Sequence, residues 1–242
     1  MEGKTSLTPQ SITYSEIVDL SHVIESNIPI WPGDPPVEFE EIAEIKTDGY
    51  YLRKFSMGEH SGTHFNAPNS FDSTLTSIDC YSPQSLVVPA VVLDLRDRVA
   101  VNADYALRIA DIEAWENQYG MIPPGCLVIL FTGWQANWEN SQAFFNADDL
   151  GQLHFPGCGA AAIQFLLEER QIAGLGIDTH GVEPGIDSSF CVNKLVLSKS
   201  GIILENLANL DRLPATGATL VIGILRLKGG SGSPVSVLAF IP

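Results

Sequence analysis

Six apolar runs of strand length recur along this chain, at 86–95, 125–132, 173–177, 201–204, 218–227 and 235–241. They are rich in β-branched residues, and short continuous apolar runs suit strands buried on both faces. Pro89 interrupts the first run, so its paired part is expected to begin at Ala90. Helical spacing is confined to 111–119 and 159–170. In the second, Ala162, Ile163, Phe165 and Leu166 form the apolar face, while Glu168, Glu169 and Arg170 are solvated. Many strands with helices set between groups of them predict an α/β domain.

At 242 residues the chain can bury one substantial core. A single domain is expected over 17–242, after a flexible polar lead at 1–16 that does not read as a signal peptide. No apolar run approaches the roughly 20 residues that a membrane-spanning helix needs. The net charge of −16, from 13 basic and 29 acidic side chains, argues against nucleic acid and anionic membranes as partners. Cys80, Cys126, Cys158 and Cys191 lie far apart with no C-x-x-C pair, which fits reduced thiols in a cytoplasmic protein.

The chemistry concentrates in His60-Ser61-Gly62-Thr63-His64-Phe65-Asn66-Ala67-Pro68. His60 and His64 are spaced i, i+4, and a helix or a tight loop could aim both rings at one point. Gly62 and Thr63 favour the loop, because glycine in a helix interior costs about 1 kcal/mol. A bare H-x-x-x-H is equally compatible with two histidines falling together by accident.

That segment resembles the signature H-x-G-T-H-x-D-x-P-x-H of the cyclase family of metal-dependent hydrolases, to which bacterial kynurenine formamidases and isatin hydrolases belong. Further blocks agree in order. Asp19-Leu20-Ser21-His22 and Ile28 to Pro35 resemble the family's first strand and substrate-side loop. Gly176-Ile177-Asp178-Thr179 with Val182-Glu183-Pro184-Gly185 resembles G-I-D-T-x-S-x-D-P-G, departing at Gly181 and Glu183. Ile203 to Leu207 and the tail Lys228 to Val235 complete the set. The resemblance implies a mixed sheet with a barrel-like β core flanked by helices, and assembly as a homodimer or homotetramer.

The same resemblance implies a metal site, with changes. His60 and His64 are retained, but the aspartate position is Asn66, and the later histidine–glutamate pair reads Asn193 and Glu205. The histidine that closes the signature, used by the family in acid–base catalysis, falls at Ser70. Each change replaces an ionisable group with a neutral one. An amide oxygen bridges two cations poorly, so one divalent transition-metal ion, Zn or Mn, is expected on His60, His64 and Glu205, with Asn66 and Asn193 as further candidate ligands. Proton transfer then falls to His180, Ser70 or Asn66, with His180 the strongest candidate for the missing imidazole. His154, Glu59 and His22 read as structural or solvated. Trp31, on a proline-rich loop, and Phe65 are the candidate substrate contacts.

Two functions follow. One is a hydrolase that opens the amide or lactone bond of a small cyclic or aromatic substrate with metal-activated water. The other is a catalytically decayed relative that binds a small molecule.

Overall fold

The computed structural model describes residues 11–242. The first half of the chain supplies strands β1 (Glu16–Asp19), β2 (Glu38–Ala43), β3 (Leu52–Ser56), β4 (His64–Asn66), β5 (Val87–Asp94) and β6 (Ala106–Leu107). The second half adds β7 (Leu127–Phe131), β8 (Gly157–Cys158), β9 (Gly174–Ile177), β10 (Ile202–Glu205), β11 (Ala218–Ile224) and β12 (Gly232–Ile241). Helices α1 (Ile45–Asp48), α2 (Arg96–Val99), α3 (Ile109–Tyr119), α4 (Ser141–Phe145), α5 (Ala160–Glu169) and α6 (Cys191–Leu197) lie between them.

Seven strands close into a barrel in the order β12-β11-β5-β7-β9-β10-β4, and β4 returns to pair with β12. The arc β5-β7-β9-β10 is parallel, and the remaining joints are antiparallel. The ten-residue β12 makes the closure possible. Its residues 232–234 pair with β4 and residues 238–241 pair with β1, while β11 runs along its other edge.

Alternation within each strand sorts side chains between two cores. In β7, Leu127, Ile129 and Phe131 point into the barrel, where they meet Val88, Ala90 and Val92 of β5. Val128 and Leu130 point outward to a second core, shared with Ile112 and Trp115 of α3 and Ala162, Ile163 and Leu166 of α5. Both faces of these strands are covered, which is why they read as unbroken apolar runs. Phe165, expected on the buried face of α5, is half-buried and lies under the Arg170 guanidinium.

Several expectations are corrected. Pro89 lies inside β5, opposite Thr219 of β11. β7 joins β5 only from Ala90, so Pro89 has a single neighbour and its missing N–H disrupts nothing on the second side. The lead expected over 1–16 ends earlier: β1 already includes Glu16, and the Ser15 N–H donates to the Ile241 carbonyl at 2.8 Å. Residues 1–10 lie outside the described residues. The β2–β3 hairpin and α6 have no counterpart among the predicted elements.

Candidate active site

The site lies on the outer face of the barrel, where β4 and β10 pair antiparallel. Their register sets His64 opposite Glu205, Phe65 opposite Leu204 and Asn66 opposite Ile203. Strand alternation sends His64, Asn66 and Glu205 outward and Phe65 inward. Phe65 is fully buried in the barrel core against Tyr81, with ring centroids 4.7 Å apart, so it does not reach the substrate cleft. The expectation that Phe65 contacts substrate is therefore corrected.

His60 reaches the same place from a turn rather than a helix. Gly62, at φ +66°, takes the left-handed conformation that lets the chain fold back before β4 begins. The His60 and His64 rings meet edge to face with centroids 5.3 Å apart. From the other side, the glycine-rich tail leaves room for His60, since a Cβ on Gly232 would lie 2.6 Å from its Cε1.

These groups form two hydrogen-bonded clusters. In the first, His64 Nε2 meets Glu205 Oε2 at 3.0 Å, and His64 Nδ1 donates to the Gly62 carbonyl at 2.9 Å. In the second, His60 Nδ1 meets Asn66 Oδ1 at 2.7 Å, and Asn66 Nδ2 donates to Asn193 Oδ1 at 3.3 Å. Asn193 in turn donates from Nδ2 and its backbone N–H to Glu183, at 2.8 and 2.7 Å. Ser231 Oγ lies 3.0 Å from His60 Nε2 and 2.7 Å from Glu59 Oε2, with one hydrogen to give to either. Ser70 Oγ donates its one hydrogen to the Ser231 carbonyl at 2.6 Å.

Burial sets the charges. It holds His60 below the ordinary imidazole value and lowers His180 to about 3, so both are neutral near pH 7. His180 Nε2 is buried without a partner. Burial would raise the Glu205 carboxyl, but the His64 hydrogen bond and the adjacent imidazoles hold it below its usual value. Burial raises Glu183, against the hydrogen bonds from Asn193.

A cleft of about 660 Å³ opens onto both clusters. Trp31 forms an aromatic wall with Phe155 and His180, at centroid distances of 6.4 and 5.2 Å. His60, His64, Asn66, Ser70, Asn193 and Glu205 all line the cleft. The structure thus gathers every sequence-derived candidate except Phe65. His154 instead bonds Asp104 at 2.8 Å, and His22 stacks on Trp138 at 3.9 Å beside a different cavity.

The donor types suit one divalent ion, because imidazole nitrogens are good ligands once unprotonated and Glu205 supplies charge. They do not suit two, because the neutral amides Asn66 and Asn193 bring no charge to offset the repulsion between two cations. Among the described residues, no three His, Cys, Asp or Glu side chains form a ready-made cage, and His64 and Glu205 contact each other directly.

Residues 18–184, more than half the chain, match the Cyclase family, described as "Putative cyclase". The chain belongs to that family. This cyclase-family chain is 35% identical to the isatin hydrolase of Roseibium aggregatum over 94% of its own length and 92% of the relative's. It is 24% identical to the kynurenine formamidase of Bacillus cereus, covering 91% and 95% of the two chains. The crystal structure of an isatin hydrolase bound to the product analogue thioisatinate superposes with a TM-score of 0.87 at 34% identity, over 94% and 92% of the chains.

Three further residues join the site of this cyclase-family chain. Glu183 stands out in the sequence only as a glutamate where the family turn has aspartate. Glu59 reads there as structural or solvated, and Ser231 lies in the tail block with no role, because their link to His60 exists only across β12 and the tail.

Proposed function

We propose that this chain is a hydrolase that opens the C–N bond of a small cyclic amide fused to an aromatic ring, with isatin as the reference substrate. The buried imidazole–carboxylate cluster beside the Trp31 wall carries this reading, and the relatedness to isatin hydrolase supports it. An aromatic lactam matches both a flat apolar wall and a polar floor.

In the reaction, water adds to the amide carbonyl carbon. The C–N bond then breaks, its electron pair stays on nitrogen, and one water proton ends there, leaving an amine and a carboxylic acid that releases the second proton to solvent. His60, His64 and Glu205 would hold a single Zn or Mn ion, which supplies an acidic water and carbonyl polarisation when bound. His180, unpartnered at Nε2 beside the cleft, would accept a hydrogen bond from the attacking water and pass its proton toward the leaving nitrogen. Trp31 would stack on the aromatic ring and exclude bulk water. The binding-protein alternative has no observation in its favour.

We also propose assembly as a homodimer or homotetramer. The β2–β3 hairpin supports it by leaving Leu52 and Phe55, with nearby Tyr50 and Tyr51, exposed on a two-stranded sheet of marginal stability. The unpaired cysteines support a reducing, cytoplasmic setting. Among the described residues, no helix is long and apolar enough to cross a membrane.

The test is ring opening of isatin, followed by its absorbance, with protein loaded with Zn or Mn and with chelator-treated protein. Turnover that needs the metal and vanishes in His64→Ala is expected. No hydrolysis of any cyclic amide, formamide or lactone above background would overturn the proposal.

A further inference from the structure

The four side chains His60, Asn66, Asn193 and Glu183 form a hydrogen-bond chain whose direction is imposed from one end. Glu183 is 4% exposed, and each of its oxygens accepts a hydrogen bond from Asn193, one from the backbone N–H and one from Nδ2. A carboxylate only accepts, so the Asn193 amide must turn its nitrogen to Glu183 and its oxygen away. That oxygen takes a hydrogen from Asn66 Nδ2, which leaves the Asn66 oxygen facing His60 Nδ1. The orientation of both amides is thereby decided by chemistry and not by convention.

Counting hydrogens shows what remains. Each amide nitrogen carries two, and one is used on each, by Glu183 and by Asn193 respectively. Both asparagines line the cleft and are almost fully buried, so the two spare N–H groups are donors in a place that little water reaches. Two amides held in fixed orientation, both lining the cleft and joined by the 3.3 Å hydrogen bond, suit an oxygen that gains negative charge.

We infer that Asn66 and Asn193 are catalytic residues that hold the carbonyl oxygen of the substrate as it becomes an alkoxide, and that Glu183 is the positioning residue that aims them. The inference rests on the amide-hydrolase reading above. As water adds to the carbonyl carbon, the π pair moves onto that oxygen. When the C–N bond breaks, the pair returns to re-form the carbonyl, so the donors assist without gaining or losing a proton. The structure also assigns the tautomer of His60 in this arrangement, with the proton on Nδ1.

The decisive variant is Glu183→Gln, which turns one acceptor into a donor and lets the Asn193 amide swing round. With isatin as the probe, kcat should fall about 10²-fold, the effect of losing one such donor. KM should stay within about threefold, as for an interaction made only in the transition state. Asn193→Leu should lose a similar amount, and the double variant should lose little more than either. In the metal-free protein, the Asn193 side-chain amide signals in a ¹H–¹⁵N spectrum should move in Glu183→Gln while the unfolding midpoint is kept. That readout needs no activity. If Glu183→Gln does not fold, Asn66→Ala and Asn193→Leu carry the same kinetic test.

A kcat within about threefold of the parent in these variants, or a rise in KM alone, would overturn the inference and leave the hydrolase intact. Failure of the parent protein itself to open any cyclic amide would sink the hydrolase reading, and this inference with it.

Discussion

His64 and Glu205 face each other across the β4–β10 pairing, with Nε2 and Oε2 3.0 Å apart and both side chains buried. They are 141 residues apart in the chain, yet strand register sets them directly opposite each other. Replacing His64 by Ala would leave a buried carboxylate without its donor. We expect a loss of about 3 kcal/mol in urea unfolding, together with loss of turnover. Stability unchanged within about 0.5 kcal/mol would mean that the pair contributes nothing to the fold.

Trp31 tests the substrate wall. Its ring lies beside His180, Phe155 and Phe145 at the cleft, and its removal takes away stacking area while leaving His60, His64 and Glu205 in place. For Trp31→Ala, KM for isatin should rise about ten- to hundredfold, with a smaller change in kcat. Steady-state kinetics separates the two, and an unchanged KM would remove Trp31 from the binding surface.

His22 makes stability depend on pH. Burial against Trp138 lowers it to about 4, whereas an unfolded chain titrates near 6.5. Between those values the unfolded chain binds a proton that the folded chain does not. Stability from this group is therefore complete above about pH 6.5 and is lost as the pH falls toward 4, by on the order of 1 kcal/mol per unit. His180 acts in the same direction, so the comparison needed is parent against His22→Gln. Urea midpoints at pH 7, 6, 5 and 4 should fall less steeply in the variant, and parallel curves would reject the account.

Gly157 supports the site from behind. A Cβ there would run into the carbonyl carbon of Glu183 and the nitrogen of Pro184. Gly157→Ala should displace the turn that carries Glu183, with a loss of about 2–4 kcal/mol and reduced turnover. Thermal unfolding with an isatin assay reads both effects. A variant of parental stability and activity would show that the turn yields freely.

Much of this protein was legible in its residues. Apolar runs such as 125–132 and 173–177 mark the barrel strands because a strand covered on both faces has no polar alternation to hide it. The signature around His60 and His64, with Glu205 far downstream, marks the cleft because ligand-forming chemistry needs those side-chain types whatever holds them. The β2–β3 hairpin was illegible because its strands are exposed and polar, with Glu38, Glu40, Glu41, Arg53 and Lys54 among them.

What only the tertiary structure decided was direction and company. Phe65 sits between two cleft residues in the chain, yet strand alternation turns it into the barrel. Glu183 looked like a minor substitution until the fold brought it to Asn193 and made it the end of a hydrogen-bond chain. Composition and local pattern follow from each residue's own chemistry, so sequence carries them. Which face a side chain takes, and which partner a buried carboxylate finds, depends on register between strands distant in the chain, and only the closed barrel sets that.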